Sequence, residues 1–379
     1  MADLGSPYRQ GGAKGRLPNC FALTDEEYSN QKETSPLRAP SCRVTHRRNR
    51  EEQEMSTRIH VLLTFIAGLV GVSPLHAQDY PVASRTITIL VPTQPGGMAD
   101  IVARAFATSL QQRAGATVVV EGKTASGGIL AAQTVARAQP DGYTLYLGYH
   151  ATNSMFQHFD RKLNYDPMAD FAPVSLVVSG SNLLVVNPKM GVRSVADLVK
   201  ALKAKPAGYS YASAGLGTIS HLLGEQFQLA TGTSLTHVPY RGAAPAAQDV
   251  VAGHVPIFFD LLGLALENVR AGNLAALAYL GETRASQLPD VPTMKELGYD
   301  GFVGGAWFGL MAPAKTPRPI IDWLNRQATE IFMEPANRDI FIKQGLDVPL
   351  GTPDQFAAFL TQESDRWRDI ITKSGVKIE

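Results

Sequence analysis

The chain has 379 residues, 35 basic and 34 acidic side chains, and 45% hydrophobic content. Near-balanced charge excludes the broad positive field of a nucleic-acid binder. The hydrophobic content is ordinary for a soluble globular protein, and the length suits two domains.

Residues 1–54 are rich in Arg, Ser, Pro, Glu and Asn and show no apolar periodicity, so no stable fold is expected there. Either Met55 is the true start or the segment is a genuine N-terminal extension. Val61–Val72 follows as a short apolar run, preceded by Arg58 and His60 and followed by a small residue at Ala77. Residues 55–77 therefore read as a secretory signal peptide, with a buried core helix as the alternative. The run falls well short of the roughly 20 residues that span a bilayer. Both cysteines, Cys20 and Cys42, lie in the first segment. The chain from Gln78 onward thus has no disulfide framework, thiolate metal site or cysteine nucleophile, and is expected to be exported and soluble.

From Thr86 the pattern alternates. Strands are expected at Thr86–Val91, Thr117–Glu121, Thr144–Tyr149 and Ala172–Val178, with helices at Ile101–Gln112 and Ile129–Ala138. A second unit begins with a strand at Leu183–Val186. A helix capped by Ser194 runs to about Ala204, a strand covers Tyr209–Ala212, and a helix reaches about Ala230. Leu235–Val238, Val255–Asp260 and Ala275–Leu280 follow as strands, with a helix at Ala246–Ala252. After about Gly301 come a strand at Trp307–Met311 and helices at Arg318–Met333, Glu334–Gln344 and Pro353–Ser374. Alternating strands and helices argue for βαβ units and mainly parallel sheets. Crossovers near 179–182 and 300–304 give an α/β fold of two lobes, each a mainly parallel sheet flanked by helices, with a ligand cleft between them. The expected division is 78–180 for lobe 1, 181–302 for lobe 2, and 303–379 for the return to lobe 1.

Three strand–loop–helix junctions carry the chemistry. They are Pro95-Gly96-Gly97-Met98-Ala99-Asp100, Ala125-Ser126-Gly127-Gly128, and Ser213-Ala214-Gly215-Leu216-Gly217-Thr218 with His221 one turn later. Each leaves unpaired N–H groups at a helix N-terminus, where the dipole favours an anion. Each taken alone is equally a tight turn. Together they would form a backbone-built pocket for a small anion. The third lacks the last glycine of a dinucleotide fingerprint, since Ser220 stands there. Tyr240 can stack or hydrogen-bond, and Arg241 is either a carboxylate partner or a solvated surface charge. Asp260 either accepts from a ligand amine or braces a loop.

The histidines after Gln78 (His150, His158, His221, His237 and His254) show no metal-ligand spacing, and no hydrolase elbow occurs. Catalysis is not indicated, and no cofactor or metal is expected.

The order of motifs is similar to the Bug family of extracytoplasmic solute receptors of tripartite tricarboxylate transporters. It runs from Pro95-Gly96-Gly97 with Asp100 through Val118-Val119-Val120-Glu121, Gly127-Gly128, Pro140-Asp141-Gly142-Tyr143 and Tyr165-Asp166-Pro167. It continues through Tyr211-Ala212-Ser213-Ala214-Gly215, His237-Val238-Pro239-Tyr240-Arg241-Gly242, Val291-Pro292-Thr293 and Ala312-Pro313, covering essentially all of 79–379. The resemblance implies a type II periplasmic binding fold whose lobes close on a small carboxylate, delivered to membrane permease subunits. It implies a monomeric periplasmic protein rather than an enzyme. By position, Gly96, Gly97, Ser126, Gly127 and Gly128 would hold the carboxylate, with Met98, Ala99 and Asp100 in the same loop. Ser213, Gly215, Gly217, Thr218, His221, Tyr240 and Asp260 would cover the variable end. Ala99, Met98 and Ala125-Ser126 depart from the usual family residues and imply a less polar pocket. The competing readings are a secreted enzyme using His221 and Asp260 as an acid–base pair, and a receptor that signals to a sensor kinase.

Overall fold

Apolar β-branched runs build the first half of the fold. Strand β1 (Ile87–Val91) leads to helix α1 (Met98–Ala114), then β2 (Val118–Gly122), helix α2 (Ile129–Ala136) and β3 (Thr144–Tyr149). β1 pairs in parallel with both β2 and β3, as two consecutive βαβ units require. The computed structural model describes residues 80–378. The expected unfolded segment 1–54 and the signal peptide 55–77 lie outside the described residues.

The long strand β4 (Phe171–Val186) departs from expectation. Two separate strands were expected, because Ser179-Gly180-Ser181-Asn182 interrupts the apolar pattern. The backbone instead continues unbroken. Over Phe171–Ser181 it pairs antiparallel with β9 (Gly305–Pro313). From Asn182 to Val186 it pairs antiparallel with β7 (Ile257–Leu261) and β8 (Ala275–Tyr279). Small residues explain the continuity: Gly180 faces Ala306 and Ser181 faces Gly305, so the two backbones approach closely. The sheet is consequently mixed. β3–β9 and all β4 pairings are antiparallel, whereas β5 (Ser210–Ser213) is parallel to β6 (Thr236–Pro239) and to β7.

Helices cover both faces of each half. α1 and α7 (Arg318–Met333) bury Phe106, Leu110, Leu324 and Phe332 against Ile89, Leu145 and Val177. α3 (Val195–Ala204) and α4 (Ile219–Thr231) bury Leu198, Leu222 and Phe227 against Leu184, Tyr211 and Phe259. α5 (Ala243–Ala252) and α6 (Leu262–Arg270) pack on the opposite face, against Leu183, Val185 and Phe258. Residues 183–186 of β4 are thus fully buried on both faces, which is why they read as a continuous apolar run.

Helix α6 was not among the expected elements, and Gly263 lies in its first turn. A Cβ at that position would lie 1.8 Å from the Gln344 carbonyl oxygen, at the end of α8 (Pro335–Lys343). The glycine is there for a close approach, not to break the helix. The final helix α9 (Pro353–Ser374) opens with a full capping box between Thr352 and Gln355. Its Phe356 and Leu360 pack with Trp307 and Met311, while its Trp367 and Ile371 join the Leu184–Phe259 cluster. One helix therefore braces both halves.

The crossing segments are mutually bonded. Asn182 donates its N–H to Gly304 O at 3.0 Å, and Leu280 donates to Asn182 O at 2.9 Å. A Cβ on Gly305 would fall 1.9 Å from the Gly180 carbonyl oxygen. Gly305→Ala is expected to destabilise the protein by about 1–3 kcal/mol, as overpacking does, read as a lower denaturant midpoint. An unchanged midpoint would show that the strands can separate there without cost.

Candidate functional site

The three junction loops leave the carboxyl ends of β1, β2 and β5, where ligands of open α/β sheets bind. The first two junctions are brought together. Gln94 Nε2 donates to Thr124 Oγ1 at 3.0 Å, and a Cβ on Gly128 would lie 2.3 Å from Pro92 Cβ. Only glycine allows that contact.

In the first junction, Asp100 is buried and serves the loop itself. Its Oδ2 accepts from Gly96 N at 2.9 Å and from Arg104 Nε at 2.8 Å. The Arg104 guanidinium, with help from the Gly96 N–H, holds this carboxyl below its usual range although burial works against it. Gly97 N donates to Gln94 O. Gly96 and Gly97, expected as donors to an anion, thus spend their N–H groups inside the loop. The first-turn N–H groups of Met98, Ala99 and Asp100 have no intrahelical acceptor. Those are the donors this end of α1 offers.

In the second junction, Ser126, Gly127 and Gly128 take φ of 55°, 67° and 86° in succession. For Ser126 that left-handed conformation costs about 1–2 kcal/mol, and such strain is typical of functional loops. Gly128 N turns back to Thr124 O and Ala125 O. Ser126 and Gly127 are exposed, and Tyr149 Oη donates to Gly127 O at 2.8 Å, tying the loop to the end of β3.

The third junction is folded on its own side chains. Thr218 Oγ1 donates to Gly215 O at 2.7 Å, Ala214 N donates to Ser220 Oγ, and Gly217 N donates to His221 Nδ1 at 3.0 Å. His221 stacks on His237 with centroids 3.9 Å apart, and His237 Nε2 lies 2.6 Å from Ser213 Oγ. Ser213 and His221 are buried. Their polar atoms brace the loop from beneath. Gly217 packs towards Ile378, Gly215 towards the Tyr240 carbonyl, and Tyr240 Oη donates to Asp249 at 2.6 Å. His221 and Asp260, weighed as an acid–base pair, make no hydrogen bond to each other.

Thr218 and Asp260 line a cavity of about 280 Å³ together with His150, Asn182, Ser220 and Ala306. Among the described residues that line it, none is a lysine or arginine. Asp260 is 2% exposed; its Oδ1 accepts from Leu261 N at 2.9 Å, and its Oδ2 has no partner. Burial pushes this carboxyl up to about 7, the Leu261 bond working the other way. His150 was not singled out by spacing or motif. Its ring packs edge-on to Tyr149 and its Nδ1 has no partner. Burial lowers it to about 3 against a hydrogen bond to the Trp307 backbone, so it stays neutral. A larger cavity, about 530 Å³, lies by the crossing strands next to Trp307 and Asp347, away from the junction loops.

Comparison with known proteins bears on this geometry. Residues 102–376 match the family described as tripartite tricarboxylate transporter family receptor. Protein BugT of Bordetella pertussis is 37% identical over 326 residues, covering 86% of this chain and all but 1% of that protein. The R. palustris protein Rpa4515, solved with adipate, is 31% identical with a TM-score of 0.68, over 79% of this chain and 99% of that one. MatC from Rhodopseudomonas palustris, solved with bound malate, is 31% identical with a TM-score of 0.65, over 76% of this chain and 100% of that one.

The buried histidines predict a pH dependence. Burial lowers both His221 and His237 to about 4, and the His221 ring further disfavours charge on His237. Between about 6.5 and 4 the unfolded chain binds protons that the folded chain refuses. Their stabilisation is therefore complete above pH 6.5 and is lost as pH falls through that window. Asp260, raised, acts with the opposite sign. Thermal melts from pH 7.5 to 4 should show stability falling with acid. His237→Asn should flatten that fall by up to about 1.4 kcal/mol per pH unit, and Asp260→Asn should steepen it. A wild-type curve that is flat from 6.5 to 4 would contradict the buried neutral pair.

Proposed function

The chain belongs to the tripartite tricarboxylate transporter receptor family, and from that premise we propose that it is a periplasmic receptor for a small carboxylate. The observation that carries this reading is the pair of adjoining loops at the ends of β1 and β2. They present first-turn N–H groups of Met98, Ala99 and Asp100 beside the exposed Ser126 and Gly127. Fixed backbone dipoles at a helix start suit an anion without the desolvation cost of burying a second charge.

Closure would bring the Thr218–Ser220 end of α4 over the solute. The lobes would be 78–180 with 303–379, and 181–302, hinging where β4 changes partners between Ser181 and Asn182. Ligand binding favours the closed form by as much as the ligand prefers it. The closed receptor would then hand its solute unchanged to the permease subunits of the transporter, acting as a monomer. The name of the family and the solutes in the relatives' structures, adipate and malate, support the carboxylate class. Among the described residues no helix is long and apolar enough to cross a membrane. The segment 55–77 would direct export.

Two expected outcomes test the reading. A carboxylate at 100 times its dissociation constant should stabilise the protein by about 2.7 kcal/mol, seen as a higher melting temperature, while its diamide or ester leaves the melt unmoved. In titration calorimetry with that carboxylate, Ser126→Ala should weaken binding about three- to ten-fold through loss of one hydroxyl hydrogen bond. Gly97→Val, whose Cβ would press on Thr93 at 3.0 Å, should weaken it further. Unchanged affinity in both variants would refute the loop assignment.

A further inference from the structure

The cavity that Asp260 and His150 share is chemically one-sided. Each residue presents a buried polar atom with no hydrogen-bond partner. Asp260 Oδ1 takes the Leu261 N–H, leaving Oδ2 unpartnered on a residue that is 2% exposed. His150 Nδ1 is likewise unpartnered. A neutral imidazole has one N–H and one bare nitrogen, so Nδ1 accepts in the tautomer that keeps the proton on Nε2. Buried polar atoms are nearly always paired, so two unpaired polar atoms on residues lining one 280 Å³ cavity call for an explanation.

The other lining groups do not supply one. Asn182 spends its amide on Phe259 O at 2.8 Å, and Thr218 spends its hydroxyl on Gly215 O. Ser220 Oγ accepts from Ala214 N and, with the Thr218 proton on Gly215, donates its own to Thr218 Oγ1 at 3.1 Å. Phe258, Phe259, Leu264 and Ala306 close the cavity with apolar surface. A second ligand carboxylate placed here would meet the Asp260 carboxyl with no lysine or arginine lining the cavity to compensate, an arrangement in which like charges resist ionising together.

We propose that this cavity is the subsite for the far end of the solute and takes a nitrogen-bearing donor, an amine or a primary amide. The ligand is thus a carboxylate that carries such a group at its other end, not a dicarboxylate. This rests on the carboxylate-receptor reading, with the carboxylate held at the loops after β1 and β2. Asp260 and His150 then act as specificity-determining residues by pairing with the ligand N–H groups.

The test uses two matched series of probes in titration calorimetry at pH 7.5. One comprises succinate, succinamate and 4-aminobutyrate; the other comprises adipate, adipamate and 6-aminohexanoate. Within at least one series the half-amide or the amino acid should bind at least ten-fold more tightly than the dicarboxylate. Asp260→Asn, which offers a donor in place of an acceptor, should remove or reverse that ratio. Should this variant fold poorly, His150→Phe, which deletes the other acceptor, should reduce the same ratio. Tighter binding of the dicarboxylates would overturn the inference and leave the receptor reading standing. A ratio that survives both substitutions would also overturn it. Silence across both series would overturn the carboxylate reading and the inference with it.

Discussion

The structure depends on one stretch of backbone pairing, the passage of β4 along β9 and then along β7 and β8. The partner changes between Ser181 and Asn182, and at that point the return crossing at Gly304 accepts the Asn182 N–H. Any relative motion of the two halves of the sheet must be absorbed where these strands cross. Gly180, Ser181, Gly304 and Gly305 keep that place narrow, with no large side chain between the strands. Helix α9 adds a second tie, since its two ends are buried in different apolar clusters. Small residues at this crossing, braced by one long helix, suit the proposed closure while resisting slippage in register.

Given that frame, the candidate site follows from an imbalance in hydrogen bonding. The loops after β1, β2 and β5 satisfy much of their own polarity. Asp100 ties Gly96, Thr218 ties Gly215, and His221 ties Gly217. What is left over at the start of α1 is the first turn, where the N–H groups of Met98, Ala99 and Asp100 have no intrahelical partner. Asp260 Oδ2 and His150 Nδ1 are left without partners beside the cavity at the start of α4. Under the proposed reading, backbone donors would hold one end of the solute and these atoms the other. That suits a receptor which must release its solute as well as capture it.

Much of this was legible in the sequence because the relevant signals are local. The helices Arg318–Met333 and Pro353–Ser374 announce themselves by periodicity and by Pro at their first turns. The glycine junctions announce themselves by composition. What was not legible depends on long-range partners. Ser179–Asn182 reads as a break until the small residues of β9 are set beside it. The role of Gly263 shows only when Gln344 is found against it. Ser213 and His221 look like ligand groups because they stand beside a glycine loop. Only the stack on His237 shows that they support the loop from below. His150 follows a plain apolar strand and belongs to no motif, so only tertiary packing reveals its free nitrogen.

The central claim is that unpaired backbone N–H groups at two helix starts hold the solute carboxylate. Amide NMR of the protein with and without a bound carboxylate tests this most directly, because an N–H that gains an anionic acceptor moves strongly downfield in its proton shift. The account predicts the largest downfield shifts at Met98, Ala99, Asp100, Ser126 and Gly127. Shifts that spare these five amides, with the ligand bound at full occupancy, would contradict it.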